Sequence, residues 1–444
     1  MISVAGIRGI VGESLTPPIV TRFAAAFAGS LGPGPVVVGR DARPSGATVY
    51  HAVAAGLRGA GRDVVDLGLA TTPTTEIAVE RLGAAGGVIL TASHNPPPWN
   101  ALKFLSARGE FLGAGEGGAV RATFEAGEET WAAAAALGGE RAESAALAWH
   151  LERVLALDVL DLAAIRRRAL RVVVDGCSSV GGLAVPPLLR ELGATVTELD
   201  CVPDGQFRRE LEPLPEHLAR LADAVRTAGA DFGVALDPDA DRAAFVDARG
   251  VPLGEEFTLA LGVQVVLGKR RGPVVTNLST SRIVDAVCAQ AGVPLHRTPV
   301  GEAHVVAGMR ATGAVAGGEG NGGMIVPAAH YGRDGLVAVA LVAQALAQSG
   351  RDLRALADAL PALCMLKHKL PLPAAGWEAV VGRLRAAFAG YAVDEADGLR
   401  FARGEEWVHV RPSGTEPVVR VLAEAPAEAR GRELVEEARR ALRG

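Results

Sequence analysis

Hydrophobic and polar positions follow two rhythms along this chain. Short valine-rich runs end in polar residues, and longer Ala/Leu-rich stretches at helical spacing follow them. One such unit runs Val36-Val37-Val38-Gly39-Arg40-Asp41, a helix through Ala47 to Leu57, Gly61, then Val64-Val65-Asp66-Leu67. A second runs Val172-Val173-Val174-Asp175-Gly176, a helix through Leu183 to Leu192, Gly193, then Val196 to Leu199. A third runs Val274-Val275-Thr276-Asn277, a helix through Ile283 to Ala291, Gly292, then Val293 to His296. Strand–helix–strand units of this length build parallel or mixed sheets with helices on their faces. The glycines suit the position just past a helix C-terminus. Three copies in series predict three similar α/β domains. The tail differs: a helix from Trp377 to Phe388, strands at Val408–Val410 and Val418–Leu422, Pro426, and a charged amphipathic helix from Ala427 to Leu442. That order predicts a small α+β domain. The expected domains are therefore 1–147, 148–249, 250–367 and 368–444. The Ala/Gly/Glu-rich segment from Gly113 to Gly139 reads as a loop and helix near the surface.

Four loops carry candidate chemistry. Thr91-Ala92-Ser93-His94-Asn95-Pro96 follows the apolar run Ala84 to Leu90 and leads into Pro97 and Pro98, which cannot continue a ladder. Ser93 and His94 are thus expected on a stiff loop at a strand's end, where open α/β sheets bind ligands; the alternative is an ordinary turn. Asp237-Pro238-Asp239-Ala240-Asp241-Arg242 follows another buried run, Phe232 to Leu236. Three alternate carboxylates there can converge on a hard cation such as Mg²⁺. An EF-hand is excluded, because Arg242 and Ala248 stand where it needs glycine and glutamate. In Gly317-Gly318-Glu319-Gly320-Asn321-Gly322-Gly323, the glycines permit close backbone approach, and Glu319 and Asn321 match sugar hydroxyls. Arg411-Pro412-Ser413-Gly414-Thr415-Glu416-Pro417, with Arg420 nearby, offers guanidinium, hydroxyl and backbone N–H groups to a phosphate. Gly6-Ile7-Arg8-Gly9 and Gly39 to Ser45 are further arginine loops, and Arg40 with Asp41 reads as an ion pair or as a ligand contact.

Composition narrows the class. The 444 residues are 49% hydrophobic and 21% charged with a net charge of −5, so no nucleic-acid or anionic-membrane partner is expected. Cys177, Cys201, Cys288 and Cys364 are dispersed, which fits buried thiols in a reducing compartment. With no basic leader and no apolar stretch of about 20 residues, a soluble cytoplasmic monomer or homodimer is expected. Only Lys103, Lys269, Lys367 and Lys369 are lysines; nearly all positive charge is arginine.

Taken together and in this order, the four loops resemble the α-D-phosphohexomutase superfamily, which includes phosphoglucomutase, phosphomannomutase and phosphoglucosamine mutase. The resemblance runs from Ser3-Val4-Ala5-Gly6-Ile7-Arg8-Gly9 to the Arg411 loop, essentially the whole chain. It implies a heart-shaped arrangement of four domains around a central cleft. Ser93 would carry phosphate; Asp237, Asp239 and Asp241, with a phosphoserine oxygen, would bind Mg²⁺. Arg242 would sit beside the reacting phosphoryl group, and Arg8 and Lys103 near the reacting hydroxyl. Glu319 and Asn321 would hold sugar hydroxyls. Arg411, Ser413, Gly414, Thr415 and Arg420 would hold the other phosphate. The implied reaction interconverts hexose 1- and 6-phosphates of mannose or glucose through a bisphosphorylated sugar, which also serves as activator. A glucosamine phosphate substrate is the alternative. A Mg²⁺-dependent sugar-phosphate hydrolase and a silent sugar-phosphate sensor are rival classes.

The sequence departs from the family pattern in two loops. Many members have Ser and a terminal His where this chain has Asn321 and Gly323, so the general base is open among His94, Lys103 and His330. Pro238 and Ala240 replace glycines in the metal loop, which should stiffen it.

Overall fold

Val36, Val37 and Val38 are buried to the last atom. A strand covered on both faces has no polar side to alternate with, which is why it reads as a continuous apolar run. The computed structural model describes residues 2–3, 6–373, 376–413 and 418–443. The sheet built on these valines has seven strands in the order Ile2–Ser3, Gly6–Ile10, Trp99–Leu105, Gly86–Leu90, Val36–Arg40, Val64–Leu69, Glu140–Ala142. Its centre is parallel, and Trp99–Leu105 turns back antiparallel to Gly86–Leu90.

The next two sheets repeat that centre. One runs Ala243–Asp247, Phe232–Leu236, Arg171–Asp175, Thr195–Leu199; the other runs Gly323–Ile325, Ala316–Glu319, Val274–Asn277, Leu295–Thr298. In both, the second strand lies parallel to the third and antiparallel to the first. Each unit thus consists of the strand–helix–strand copy seen in sequence plus a hairpin whose second strand reverses direction. The Ser93, Asp237 and Gly320 loops are the tips of those three hairpins.

The tail is a five-stranded antiparallel sheet, Cys364–Pro371, Val418–Ala425, Glu406–Pro412, Leu399–Arg403, Ala392–Asp394, with helices Glu378–Ala387 and Glu428–Arg443 packed on it. The Arg411 loop joins Glu406–Pro412 to Val418–Ala425, again between antiparallel neighbours. Three mixed-sheet α/β units and a small α+β tail are the architecture the sequence pattern predicts.

The cores divide differently from the sheets. The first unit and the tail each have their own. The second and third share one apolar cluster, from Val154 to Leu360. Helix Gly335–Ser349 explains this: every residue from Gly335 to Leu346 is buried, and a helix apolar all round must be covered on every side. The boundary expected near Leu147 falls inside helix Ala146–Leu155, and that near Lys367 inside strand Cys364–Pro371. Among the described residues no helix is long and apolar enough to cross a membrane.

Candidate active site

Ser93 sits with φ at +49°, a left-handed conformation that costs an L-residue about 1 kcal/mol. Arg43 holds it there. Its Nη1 donates to the carbonyls of Pro96 and Trp99 at 2.9 Å, and its Nη2 to those of Ser93 at 2.5 Å and Asn95 at 2.7 Å. The fifth donor, Nε, pairs with Asp41 at 3.1 Å. All five guanidinium donors are therefore spent on one loop and its anchor. Asp41 Oδ2 also accepts from Thr91 Oγ1 at 2.6 Å, and Thr91 Oγ1 in turn accepts from the Ser93 N–H at 2.9 Å. The ion pair considered for Arg40 with Asp41 is divided between other partners: Arg40 pairs with Asp66 at 2.9 Å, and Asp41 with Arg43.

So held, Ser93 Oγ donates to Asp237 Oδ2 at 3.1 Å, across the interface between the first and second units. Asp237, Asp239 and Asp241 are fully buried, with one carboxylate oxygen from each within 4.8 Å of the others. Asp239 Oδ2 accepts from Lys103 Nζ at 2.8 Å and Thr72 Oγ1 at 2.7 Å. Asp241 Oδ2 accepts from Arg333 Nη2 at 2.5 Å. Asp239 Oδ1 and Asp241 Oδ1 are buried and accept nothing. Burial, then the charges of Asp241 and Asp239, push Asp237 well above the usual carboxylate range. Burial would do the same to Asp239, but Lys103 and Thr72 overcome it and hold that carboxyl low. Crowded carboxylates with orphaned oxygens suit a hard divalent cation, which would supply the missing positive charge.

Cations surround the serine. Arg8 Nη1 donates to Asn95 Oδ1 at 2.6 Å. Arg8 is paired with Ala101 and Gly6 with Lys103 on adjacent strands, so Arg8 and Lys103 share one face of the sheet. Arg242 Nε lies 3.6 Å from Asp241 Oδ1 and 3.8 Å from Asp237 Oδ2. His94 Nδ1 is 3.4 Å from Ser93 Oγ. Burial, and then Arg242, Arg8, Arg420 and Lys369, hold its imidazole well below its ordinary pKa, so it is neutral. Positive charge from the first unit, the second unit and the tail thus meets at one point beside Ser93.

In the tail, Lys369, Arg420 and Arg411 stand opposite one another on three adjacent strands, forming a row of three cations. Burial, with Arg420 beside it, lowers Arg411, and Asp397 at 3.5 Å compensates only in part. Ser413 N–H donates to the Val418 carbonyl at 2.8 Å. Gly414 and Thr415 lie outside the described residues.

Four matches tile the chain. The profile described as "Phosphoglucomutase/phosphomannomutase, alpha/beta/alpha domain I" matches residues 2–131, domain II 149–250, domain III 255–364 and the C-terminal domain 365–441. The chain belongs to the phosphoglucomutase/phosphomannomutase family. It is 37% identical to the Methanopyrus kandleri protein named "Probable phosphoglucosamine mutase", covering 98% of this chain and 95% of that one. It is 36% identical to the Thermococcus kodakarensis phosphoglucomutase/phosphomannomutase, covering 97% and 96%. A solved phosphoglucomutase/phosphomannomutase family protein from Burkholderia thailandensis is 28% identical, with a TM-score of 0.86 over 100% of this chain and 98% of that one. The protein is therefore a phosphohexomutase, an isomerase of sugar phosphates.

The Glu319 loop of this phosphohexomutase is held from within. Glu319 Oε1 accepts from Asn277 Nδ2 at 2.7 Å and the Gly301 N–H at 3.0 Å; Oε2 accepts from Arg333 Nη1 at 2.6 Å. Burial works against the charge, but Arg333 and Asn277 outweigh it and keep Glu319 low. Asn321 Oδ1 accepts from the Gly323 N–H at 3.2 Å. His330, a candidate base in the sequence, is engaged elsewhere: its Nε2 is 3.0 Å from Asp334 Oδ2 and its Nδ1 3.2 Å from Glu76 Oε2.

Sequence reading missed Arg43, Thr72, Arg333, Lys367 and Lys369. Lysine rarity was a usable signal. Lys269 is exposed, but Lys103, Lys367 and Lys369 all line this region. Lys367 Nζ bridges Glu255 at 2.7 Å, Glu256 at 3.0 Å and the Gly320 carbonyl at 3.2 Å, tying the tail to the Glu319 loop. Arg43 stood in the arginine loop from Gly39 to Ser45 with no role assigned to it, and no comparable signal marked Arg333 among so many arginines.

Proposed function

We propose that this phosphohexomutase interconverts hexose 1-phosphate and hexose 6-phosphate of glucose or mannose through a phosphorylated Ser93. The observation that carries the reading is Ser93 Oγ, fixed 3.1 Å from Asp237 in a buried triad with two unpartnered oxygens. Asp237, Asp239 and Asp241, with an oxygen of the Ser93 phosphate, would hold Mg²⁺. When bound, Mg²⁺ neutralises charge on the transferring phosphoryl group. Ser93 gives its phosphoryl to the free hydroxyl of the sugar phosphate, forming a bisphosphorylated hexose and regenerating the serine. The intermediate turns over and returns its other phosphoryl group to Ser93.

Arg8, Lys103 and Arg242 stabilise the equatorial oxygens of the group in flight. Glu319 and Asn321 orient the ring hydroxyls. Arg411, Ser413, Gly414, Thr415 and Arg420 grip the phosphate that is not reacting. That cradle must accept either end of the sugar, so a row of charges on a sheet suits it better than a shaped pocket. Neutral His94 completes the loop and can accept a hydrogen bond beside the phosphate.

Glucosamine phosphates are a second reading, favoured by the names of several relatives, among them a Sulfurisphaera tokodaii phosphoglucosamine/phosphogalactosamine mutase at 32% identity. These sugars differ at C2. A panel of glucose, mannose, glucosamine and galactosamine 1-phosphates, with Mg²⁺ and a trace of the bisphosphate, separates the readings. Isomerisation of at least one substrate without net phosphate release is expected. Release of free phosphate equal to the substrate consumed would instead identify a hydrolase.

A further inference from the structure

Position 323 has no side chain, and the structure shows what fills the space. A Cβ built on Gly323 would collide with Cδ of Arg333 and lie 2.9 Å from its Cγ. The aliphatic stem of Arg333 passes through that space. Arg333 is only 7% exposed and its guanidinium meets three carboxylates. Nε donates to Glu302 Oε2 at 3.0 Å, Nη1 to Glu319 Oε2 at 2.6 Å, and Nη2 to Asp241 Oδ2 at 2.5 Å. Its own N–H donates to Glu302 Oε1 at 3.0 Å, so Glu302 grips both ends of the residue.

The planarity of a guanidinium matters here. Its two terminal nitrogens are a fixed distance apart, so the carboxylates they hold are fixed relative to one another. One of those carboxylates belongs to the aspartate triad and the other to the sugar loop. Asp241 keeps Oδ1 free for a cation while Oδ2 stays on Arg333. Neither carboxylate can shift without moving the other or breaking a buried charged hydrogen bond.

We infer that Arg333 is a positioning residue that makes cation binding at the aspartate triad and sugar binding at Glu319 a single coupled event. This rests on the mutase reading above and extends it. Asn321 and Gly323 are then parts of one arrangement: a short loop with no side chain at 323, opened so that Arg333 can thread between two sites. Reciprocity requires that a sugar phosphate tighten Mg²⁺ by the same factor as Mg²⁺ tightens the sugar phosphate.

The test is calorimetric and needs no turnover. Mg²⁺ is titrated into the full-length protein, with Ser93 dephosphorylated, in the absence and in the presence of saturating hexose 6-phosphate. The native protein is expected to bind Mg²⁺ about 5- to 150-fold more tightly with the sugar phosphate present, the usual range of such coupling. In Arg333→Lys the charge remains but one ammonium cannot clamp two carboxylates. Its ratio should fall towards one while each ligand alone still binds within about 10-fold of native. Gly323→Ala, which displaces the Arg333 stem from the opposite side, should lower the ratio too and covers the case in which the lysine variant fails to fold. A native ratio of one, or an undiminished ratio in either folded variant, overturns the inference. Failure of the native protein to bind any hexose phosphate would instead overturn the mutase reading.

Discussion

Ser93 turns its buried hydroxyl onto Asp237 at the cost of a strained backbone, and Arg43 supplies the restraint. The serine's left-handed φ persists because one buried guanidinium binds four carbonyls of the Ser93–Trp99 segment. Ser93→Ala should lower mutase activity by about 10³-fold or more, because it removes the hydroxyl held against the aspartate triad that would carry the phosphoryl group. Steady-state isomerisation assays check this, and intact-mass analysis of the native protein should find a species about 80 Da heavier. Activity within a few-fold of native would remove Ser93 from the mechanism. Arg43→Met touches neither substrate nor cation, yet it strands Asp41 in the interior. It should cost about 3 kcal/mol of stability, as breaking a buried pair does, and lower kcat at least about 10-fold. Urea denaturation beside steady-state kinetics would detect both; an unchanged kcat would mean that Asp41 and the prolines hold the loop alone.

At the scale of elements, one device is used three times: a strand parallel to its neighbour turns through a tight hairpin into an antiparallel partner. The hairpin tip carries the candidate residues: Ser93, the aspartate triad and Glu319 with Asn321. In the second unit this forces three carboxylates into a dry corner, where burial and mutual repulsion raise Asp237. Adding Mg²⁺ to chelator-treated protein should therefore raise the thermal midpoint, by the equivalent of about 2.7 kcal/mol at 100 times Kd. Asp237→Asn should lose that response while being at least as stable as the native chain without metal, since one repelling charge is gone. Differential scanning calorimetry with and without Mg²⁺ measures both. A metal-free variant markedly less stable than native would show that Asp237 is held as a structural acceptor and not under strain.

At the scale of the molecule, helix Thr72–Arg81 of the first unit joins its neighbours through polar contacts. Thr72 bonds Asp239 of the second unit. Thr74 Oγ1 lies 2.9 Å from His150 Nδ1, and His150 Nε2 is 2.8 Å from Asp334 Oδ2 of the third unit. Glu76 faces His330 in the same chain of groups. Burial opposes charge on His330, but the hydrogen bond to Asp334 and the nearby Glu76 carboxyl win and raise it to about 10. Burial raises Glu76 to about 8. Both groups hold protons more tightly folded than unfolded. The Glu76 contribution is complete below about pH 4.5 and is lost as pH rises towards 8, and the His330 contribution is complete below about pH 6.5 and is lost as pH rises towards 10. Stability should therefore fall steadily from about pH 6.5 to 10, and His330→Gln should flatten the fall. Chemical denaturation across that range tests it, and a native profile as flat as the variant's would refute the assignment.

Local pattern and loop chemistry were enough to read three α/β units and an α+β tail, and to single out the Ser93, Asp237, Glu319 and Arg411 loops as candidates for the chemistry. Those features depend on residues close in sequence, whose spacing and type are visible directly. Helix 335–349 gave no such sign of fusing the second and third cores, because apolar residues on every face mark burial but not the partner. Tertiary structure alone decided that the reactive loops are hairpin tips, since strand direction depends on pairing between distant segments. It alone made Arg43 the clamp on Ser93, about 50 residues away, and set His330 between Asp334 and Glu76. It also placed Arg333 between Asp241 and Glu319, 92 and 14 residues away. An arginine in a chain that uses arginine for nearly all its positive charge carries no label. Which carboxylates it meets is fixed only when the chain folds and burial leaves its charge nowhere else to go.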